Sequence, residues 1–441
     1  MARLHIVGGG LAGLAAGVRA VGAGLDVSLY EAAGRAGGRC RSYFDAKIGC
    51  VIDNGNHLLL SGNRSARAYL AEIGAAERLA GPGEAAFPFV DLKTGERWSL
   101  RPNAGPLPWW IFRPKRRVPG SRARDYLKAL ALLRAGESRR IGEILDTQSS
   151  LFRRFWEPLI VAALNTQPEE AAAGLLRPVL GETLLRGGRH ARPLIARDSL
   201  ADTFVDPALA HLEAEGADIR FNARVSGLEI ARGRLGAITL AGERIALAAE
   251  DAVILAVPGR VAASLLPSLR TPPEGEAIVN AHYRLADAPA GEAIRIVGLV
   301  GGLAQWIFLR GEIASVTISA ADRVAGLPSG EIAQRCWEDV RRALDLGEAA
   351  LPPVRVIKEK RATFAATPEA LGRRPGPKTG LENLFLAGDW TATGLPATIE
   401  SAVRSGHTAA KCASARLTQG ALRMTSPDSK KTATQTGGAG R

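Results

Sequence analysis

The residues able to do chemistry lie mainly towards the two ends of a chain of 441 residues. Gly8, Gly10 and Gly13 stand in G-x-G-x-x-G spacing with Leu11 and Ala12 between them, and Glu31 follows 18 residues after Gly13. In this pattern the first glycine allows a sharp turn, the second lets the backbone approach a pyrophosphate, and the third lets a helix pack closely on a strand. A carboxylate ending the next strand can accept hydrogen bonds from ribose hydroxyls. A second glycine pair, Gly37-Gly38, is flanked by Arg35 and Arg39. It offers another close backbone approach, with guanidiniums to neutralise phosphates. His57 could act as a general acid, or could be a structural histidine bonded to backbone. Asp53 could act as an acid or orient its loop through backbone amides. The six histidines are scattered without metal-ligand spacing, so no metal site is expected.

These residues need a scaffold, and the sequence supplies one at each end. Residues 2–7 read as a buried strand, Leu14 to Ala23 as a helix ended by Gly24, and Leu25 to Tyr30 as a second strand. That is one βαβ unit, and a helix over Arg64–Leu79 follows. Near the C-terminus Leu384–Ala387 is a strand running into Gly388-Asp389, with a helix over Ala397–Ala415. Between them lie helical patterns at Ala123–Arg134, Leu151–Leu164 and Asp206–Glu215 and short β runs between 217 and 247. A buried strand follows at Asp251–Val257. Residues 275–320 alternate like an antiparallel sheet, with Ala293–Leu309 folding as a hairpin about Gly301-Gly302. A helix is expected over 330–345 and a strand over Val354–Lys360. The polar tail after about Gly420 is expected to be disordered.

Lys and Arg number 57 against 44 Asp and Glu, a net charge of +13, and hydrophobic residues make up 46%. This is the composition of a packed protein. Four cysteines, none in a C-x-x-C pair, exclude a disulfide framework and point to a reducing compartment. No apolar run reaches 18 residues. The strand that starts at Arg3 leaves no room for a cleavable signal, so a cytoplasmic protein is expected. The segment Trp109-Trp110-Ile111-Phe112 precedes Arg113, Lys115, Arg116, Arg117, Arg122 and Arg124. It suits either an anionic membrane surface or a core aromatic pair beside a solvated basic loop. No groove-reading or single-strand motif accompanies these residues, so nucleic acid is not an expected partner.

Gly8–Gly13, Glu31, the loop Arg35–Arg39 and the strand–Gly388-Asp389–helix segment resemble the FAD-dependent amine oxidase and phytoene desaturase superfamily. Arg39–Tyr43, Ile52–Asn63, Phe155–Leu159 with Ala163–Thr166, and Gly388–Thr391 with Gly394–Thr398 resemble, more narrowly, the squalene-associated FAD-dependent desaturase family. The resemblance runs from residue 3 to about 415. It implies an α/β fold: a Rossmann-like FAD-binding domain of the amine oxidase type from 1–75, 200–265 and 375–420, interleaved with an α+β substrate domain from 76–199 and 266–374, and a tail over 421–441. It implies FAD, contacted by Gly8, Gly10, Leu11, Ala12, Gly13, Glu31, Arg35, Gly37, Gly38, Arg39, Val225, Gly388, Asp389, Ala397 and Thr398. Asp389 would hold the ribityl or pyrophosphate part, and His57 and Asp53 are the catalytic candidates. The implied reaction turns hydroxysqualene and reduced FAD into squalene, water and FAD, with an electron donor as a further partner. A carotenoid-type desaturase or an amine oxidase would share the FAD motifs. A prenyl-lipid escort of the Rab GDP-dissociation-inhibitor type would share the fold without flavin.

Overall fold

The computed structural model describes residues 2–289 and 294–425. The first strand, Arg3–Val7, begins the chain's central parallel sheet, whose order is Asp218–Arg220, Asp26–Tyr30, Arg3–Val7, Ala252–Leu255 and Leu384–Leu386. The four strands inward of the edge strand Asp218–Arg220 are short, rich in Val, Ile and Leu, and mostly buried, as parallel strands between helices must be. All five come from the segments 1–75, 200–265 and 375–420.

The helix after the first strand spans Leu11–Val21, three residues earlier than the periodicity suggested, because Gly10 is its N-cap and Gly13 lies inside it. It packs against the C-terminal helix, Ile399–Thr425, at Gly406, where a Cβ would stand 2.2 Å from the Ala12 carbonyl oxygen. The C-terminal helix runs past the expected end at Ala415, and of the expected tail, residues 426–441 lie outside the described residues.

A second, seven-stranded sheet has the order Val354–Glu359, Ile278–Arg284, Ile313–Ile318, Trp306–Arg310, Ile294–Val300, Phe87–Asp91 and Arg97–Leu100. Every pairing is antiparallel except that of Ile294–Val300 with Phe87–Asp91. The hairpin expected about Gly301-Gly302 is present, though Ala293 lies outside the described residues. Helix Ser329–Ala343 covers one sheet face with Ile332, Cys336, Trp337 and Val340. From the same sheet Ile278, Asn280, Trp306, Phe308 and Thr317 line a cavity that also borders the first strand's glycine-rich turn.

Several expected helices are shorter or broken. Arg64–Glu72 ends where Gly74 takes φ +68°, a left-handed stop that leaves Leu79 in an extended pair. Residues 123–134 form two helices, Ala123–Leu127 and Leu130–Arg134. The stretch 151–164 begins with a π-type turn, Phe152–Trp156, before helix Glu157–Leu164. Pro158, lacking an N–H, interrupts the regular ladder there.

Candidate active site

A single cavity of about 890 Å³ runs from the glycine-rich turn of the parallel sheet to the open face of the seven-stranded sheet. At the first end, Gly8 takes φ +108°, and a Cβ there would stand 2.5 Å from the Ala256 carbonyl oxygen. At Gly13 a Cβ would come within 1.9 Å of the Gly8 oxygen, so helix and turn touch. Gly10 has open space around its missing Cβ, and its helix carries no side-chain cap. Its first amides therefore face the cavity with the partial positive charge of a helix N-terminus. Gly37, at φ +104°, donates its N–H to the Gly9 oxygen at 2.8 Å and locks the second glycine pair onto the first.

Glu31 accepts from the Gly9 amide at 2.7 Å and from the Ala33 amide at 2.8 Å, which fixes the carboxylate at the cavity edge. Arg39 donates to Asp389 at 2.7 Å and to the Ala362 carbonyl at 2.5 Å. Asp389 is buried, and its carboxylate holds the Arg39 guanidinium firmly protonated. Gly388, at φ +142°, donates its N–H to Ser405 on the C-terminal helix. That helix starts at Ile399, two residues later than expected. Thr398 accepts from the Ser401 amide at 3.1 Å, while Ala397 and Thr398 line the cavity.

Of the cofactor residues read from the sequence, Gly8, Gly10, Leu11, Ala12, Glu31, Arg35, Gly37, Gly38, Arg39, Val225, Gly388, Asp389, Ala397 and Thr398 all line this cavity. Gly13 sits behind the turn. His57 also lines it, and burial pushes its imidazole pKa below 6.5 against the opposing pull of Asp53. Asp53 does not line it. Its carboxylate accepts from Ser42 at 2.6 Å and from the Leu200 amide at 2.9 Å, and pairs with Arg310 at 2.8 Å. It ties strand Cys50–Asp53 to helix Leu200–Phe204 and to the second sheet. Cys40 lines the cavity as a buried thiol whose pKa burial raises well above the ordinary value.

Two supporting groups escaped the sequence reading. Arg374 stacks 4.5 Å above Phe364 and donates to the Asp389 carbonyl at 2.9 Å and to Thr393 at 3.1 Å. Burial lowers its pKa to about 10. Glu400 accepts from the Ser65 and Ala66 amides at 3.0 and 2.8 Å, capping helix Arg64–Glu72 from another helix. Neither lies in a recognisable local pattern. Among the described residues no group of three His, Cys, Asp or Glu could hold a metal ion.

The far end of the cavity is apolar, walled by Phe89, Phe155, Leu159, Trp306 and Phe308 among others. A glycine-rich turn and a compartment lined by aromatic side chains share one cavity, an arrangement that suits a flavin-dependent oxidoreductase. The chain belongs to the family described as flavin containing amine oxidoreductase, whose model matches residues 11–288 and 310–414. Its relatives narrow the group. It is 48% identical over 410 residues to hydroxysqualene dehydroxylase of Sinorhizobium fredii, covering 93% of this chain and 98% of the relative. To hydroxysqualene dehydroxylase of Rhodopseudomonas palustris it is 48% identical over 408 residues, covering 92% and 97%. An oxidoreductase from Methanosarcina mazei shares the fold, with a TM-score of 0.69 at 15% identity over 92% of this chain and 98% of that one.

Proposed function

We propose that the cavity binds FAD and that the protein converts hydroxysqualene and reduced FAD into squalene, water and FAD. The observation that carries this reading is the continuity of the glycine cradle with the aromatic compartment, in a chain so similar along its length to hydroxysqualene dehydroxylases. The open space at Gly10, the uncapped helix and the Arg39–Asp389 pair fit a dinucleotide. The amides of residues 10–12 would hold the pyrophosphate, Glu31 the adenosine ribose, Arg35 and Arg39 the phosphates, and Asp389 the ribityl chain. Bound and reduced, FAD supplies the hydride that replaces the hydroxyl.

The hydroxyl is a poor leaving group, so the C–O bond breaks with its electron pair on oxygen only if a proton arrives there. His57, on the cavity wall, is the residue we assign to that proton, and Asp53, with its carboxylate occupied, positions rather than protonates. The carbon left behind is an allylic cation, which water would return to the alcohol. Phe89, Trp306 and Phe308 keep water out. In this reading the segments carrying the parallel sheet form the cofactor domain, and 76–199 with 266–374 form the substrate domain.

The polyene would arrive from a membrane. Leu107, Trp109, Phe112, Leu127 and Leu130 are exposed by 46% to 63%, within a stretch that also carries Arg113, Lys115, Arg116, Arg117, Arg122 and Arg124. Trp110 and Ile111 are buried, Trp110 edge-on to Tyr126 at 5.1 Å. The aromatic segment thus anchors with one half and presents the other, as an interfacial protein does on anionic lipid. Among the described residues no helix is long and apolar enough to cross a membrane.

The test is to release and identify the cofactor chromatographically, then supply hydroxysqualene and a chemical reductant and assay squalene. FAD together with squalene is expected. A flavin reduced by an added amine or by a more saturated polyene would reverse the assigned direction. A flavin-free protein that binds polyprenyl lipid would make it a carrier.

A further inference from the structure

Beside the aromatic side chains the cavity carries a polar cluster to which the proposed reaction assigns no role. Asn280 and Thr317 face each other across neighbouring strands of the seven-stranded sheet, 1% and 8% exposed, and both line the cavity. Thr317 Oγ1 donates to Asn280 Oδ1 at 2.9 Å. Asn56, on the segment that also carries His57, donates from Nδ2 to Thr317 Oγ1 at 2.9 Å. The threonine hydroxyl is thereby used once as donor and once as acceptor, and the three side chains form a directed chain. Its ends are Asn280 Nδ2, an N–H donor, and Asn56 Oδ1, an acceptor. Reversing both amides would turn the chain round and still leave one donor and one acceptor for a ligand. A polar group in an apolar compartment costs free energy unless something bonds to it. Space is also kept for that partner: at Gly55, between Asn54 and Asn56, a Cβ would crowd Asn280 Nδ2 at 3.2 Å.

We propose that Asn56, Thr317 and Asn280 form the subsite that holds the substrate's hydroxyl group, a deepening that rests on the reading above. The free amide N–H donates to the hydroxyl oxygen, and the free amide oxygen accepts the hydroxyl hydrogen. One alcohol, itself one donor and one acceptor, satisfies both ends. The subsite fixes which carbon of a long, repetitive chain is presented for reaction, and it places the oxygen on the wall that carries His57. Squalene has no hydroxyl and cannot satisfy it, so product binds less tightly than substrate.

The experiment compares the wild type with Asn280→Leu, Thr317→Val and Gly55→Ala, measuring dissociation constants for hydroxysqualene and squalene in the same detergent, flavin content, and squalene formation. Loss of one neutral hydrogen bond is worth about tenfold in affinity. Hydroxysqualene affinity and kcat/KM are expected to fall about tenfold or more, with squalene affinity and flavin content unchanged. Gly55→Ala lies outside the hydrogen-bonded chain and keeps the test open if a buried substitution prevents folding. Variants that keep the full preference for hydroxysqualene over squalene, or that lose both ligands equally, would overturn the subsite. A wild type that forms no squalene would instead overturn the reading on which it rests.

Discussion

At the scale of single residues, two carboxylates do different work at the glycine-rich end of the cavity. Glu31 organises the turn by accepting two amides, whereas Asp389 balances the charge of Arg39. Glu31→Ala and Asp389→Ala are each expected to lower flavin affinity by about tenfold or more, since a charge-assisted hydrogen bond is worth about 1.5–3 kcal/mol. Flavin-to-protein ratios after gel filtration read this directly, and normal ratios in both variants would contradict the assigned cradle. His57 makes a prediction with a sign. Its folded pKa lies below 6.5, so it is neutral at neutral pH and gains its proton only as pH falls through the lowered value. If it delivers the proton, the rate rises towards acid pH, and His57→Gln removes that limb. A wild-type rate that is flat from about pH 5 to 8, the range of histidine titration, would exclude it as the acid. The glycines, Glu31 and Arg39 were legible in the sequence because each belongs to a local pattern. Arg374, Asn280 and Thr317 were not, since they acquire meaning only when strands and loops far apart in sequence meet.

At the scale of elements, the cradle depends on how closely two helices approach. Gly406 is the contact point, where even one methyl group would meet the Ala12 carbonyl at 2.2 Å. Gly406→Ala is expected to cost about 1–3 kcal/mol, the usual range for overpacking, and to loosen the flavin because Ala12 lies at the N-terminus of helix Leu11–Val21 and lines the cavity. Gly330→Ala is the matched control: it lies in helix Ser329–Ala343 with nothing within 4 Å of the added methyl, so stability should hold or rise slightly. Denaturant midpoints of the two variants test the pair, and equal effects would contradict the close-approach account. Element types read well from periodicity, as the βαβ unit and the antiparallel run over 275–320 show. Boundaries read less well. Gly74 and Pro158 each stopped or disturbed a helix that apolar spacing alone would have continued, and the parallel pairing of Ile294–Val300 with Phe87–Asp91 has no local signature.

At the scale of the whole molecule, the net charge of +13 bears on the proposed membrane contact. Exposed apolar side chains at Leu107, Trp109 and Phe112 sit among cations, so vesicles containing anionic lipid should bind the protein and neutral vesicles should bind it weakly. Trp109→Ser with Phe112→Ser is expected to reduce co-flotation severalfold, and raised salt should weaken what remains. Equal binding to neutral and anionic vesicles would contradict an electrostatic surface. The proposed reaction brings reduced flavin and a hydroxylated polyene together in one cavity. It is tested most directly by a single anaerobic turnover, in which the purified protein is reduced without excess reductant and hydroxysqualene is added in detergent. The oxidised-flavin absorption band is expected to return with squalene formed in equal amount. A band that stays bleached, with no squalene formed, would contradict it.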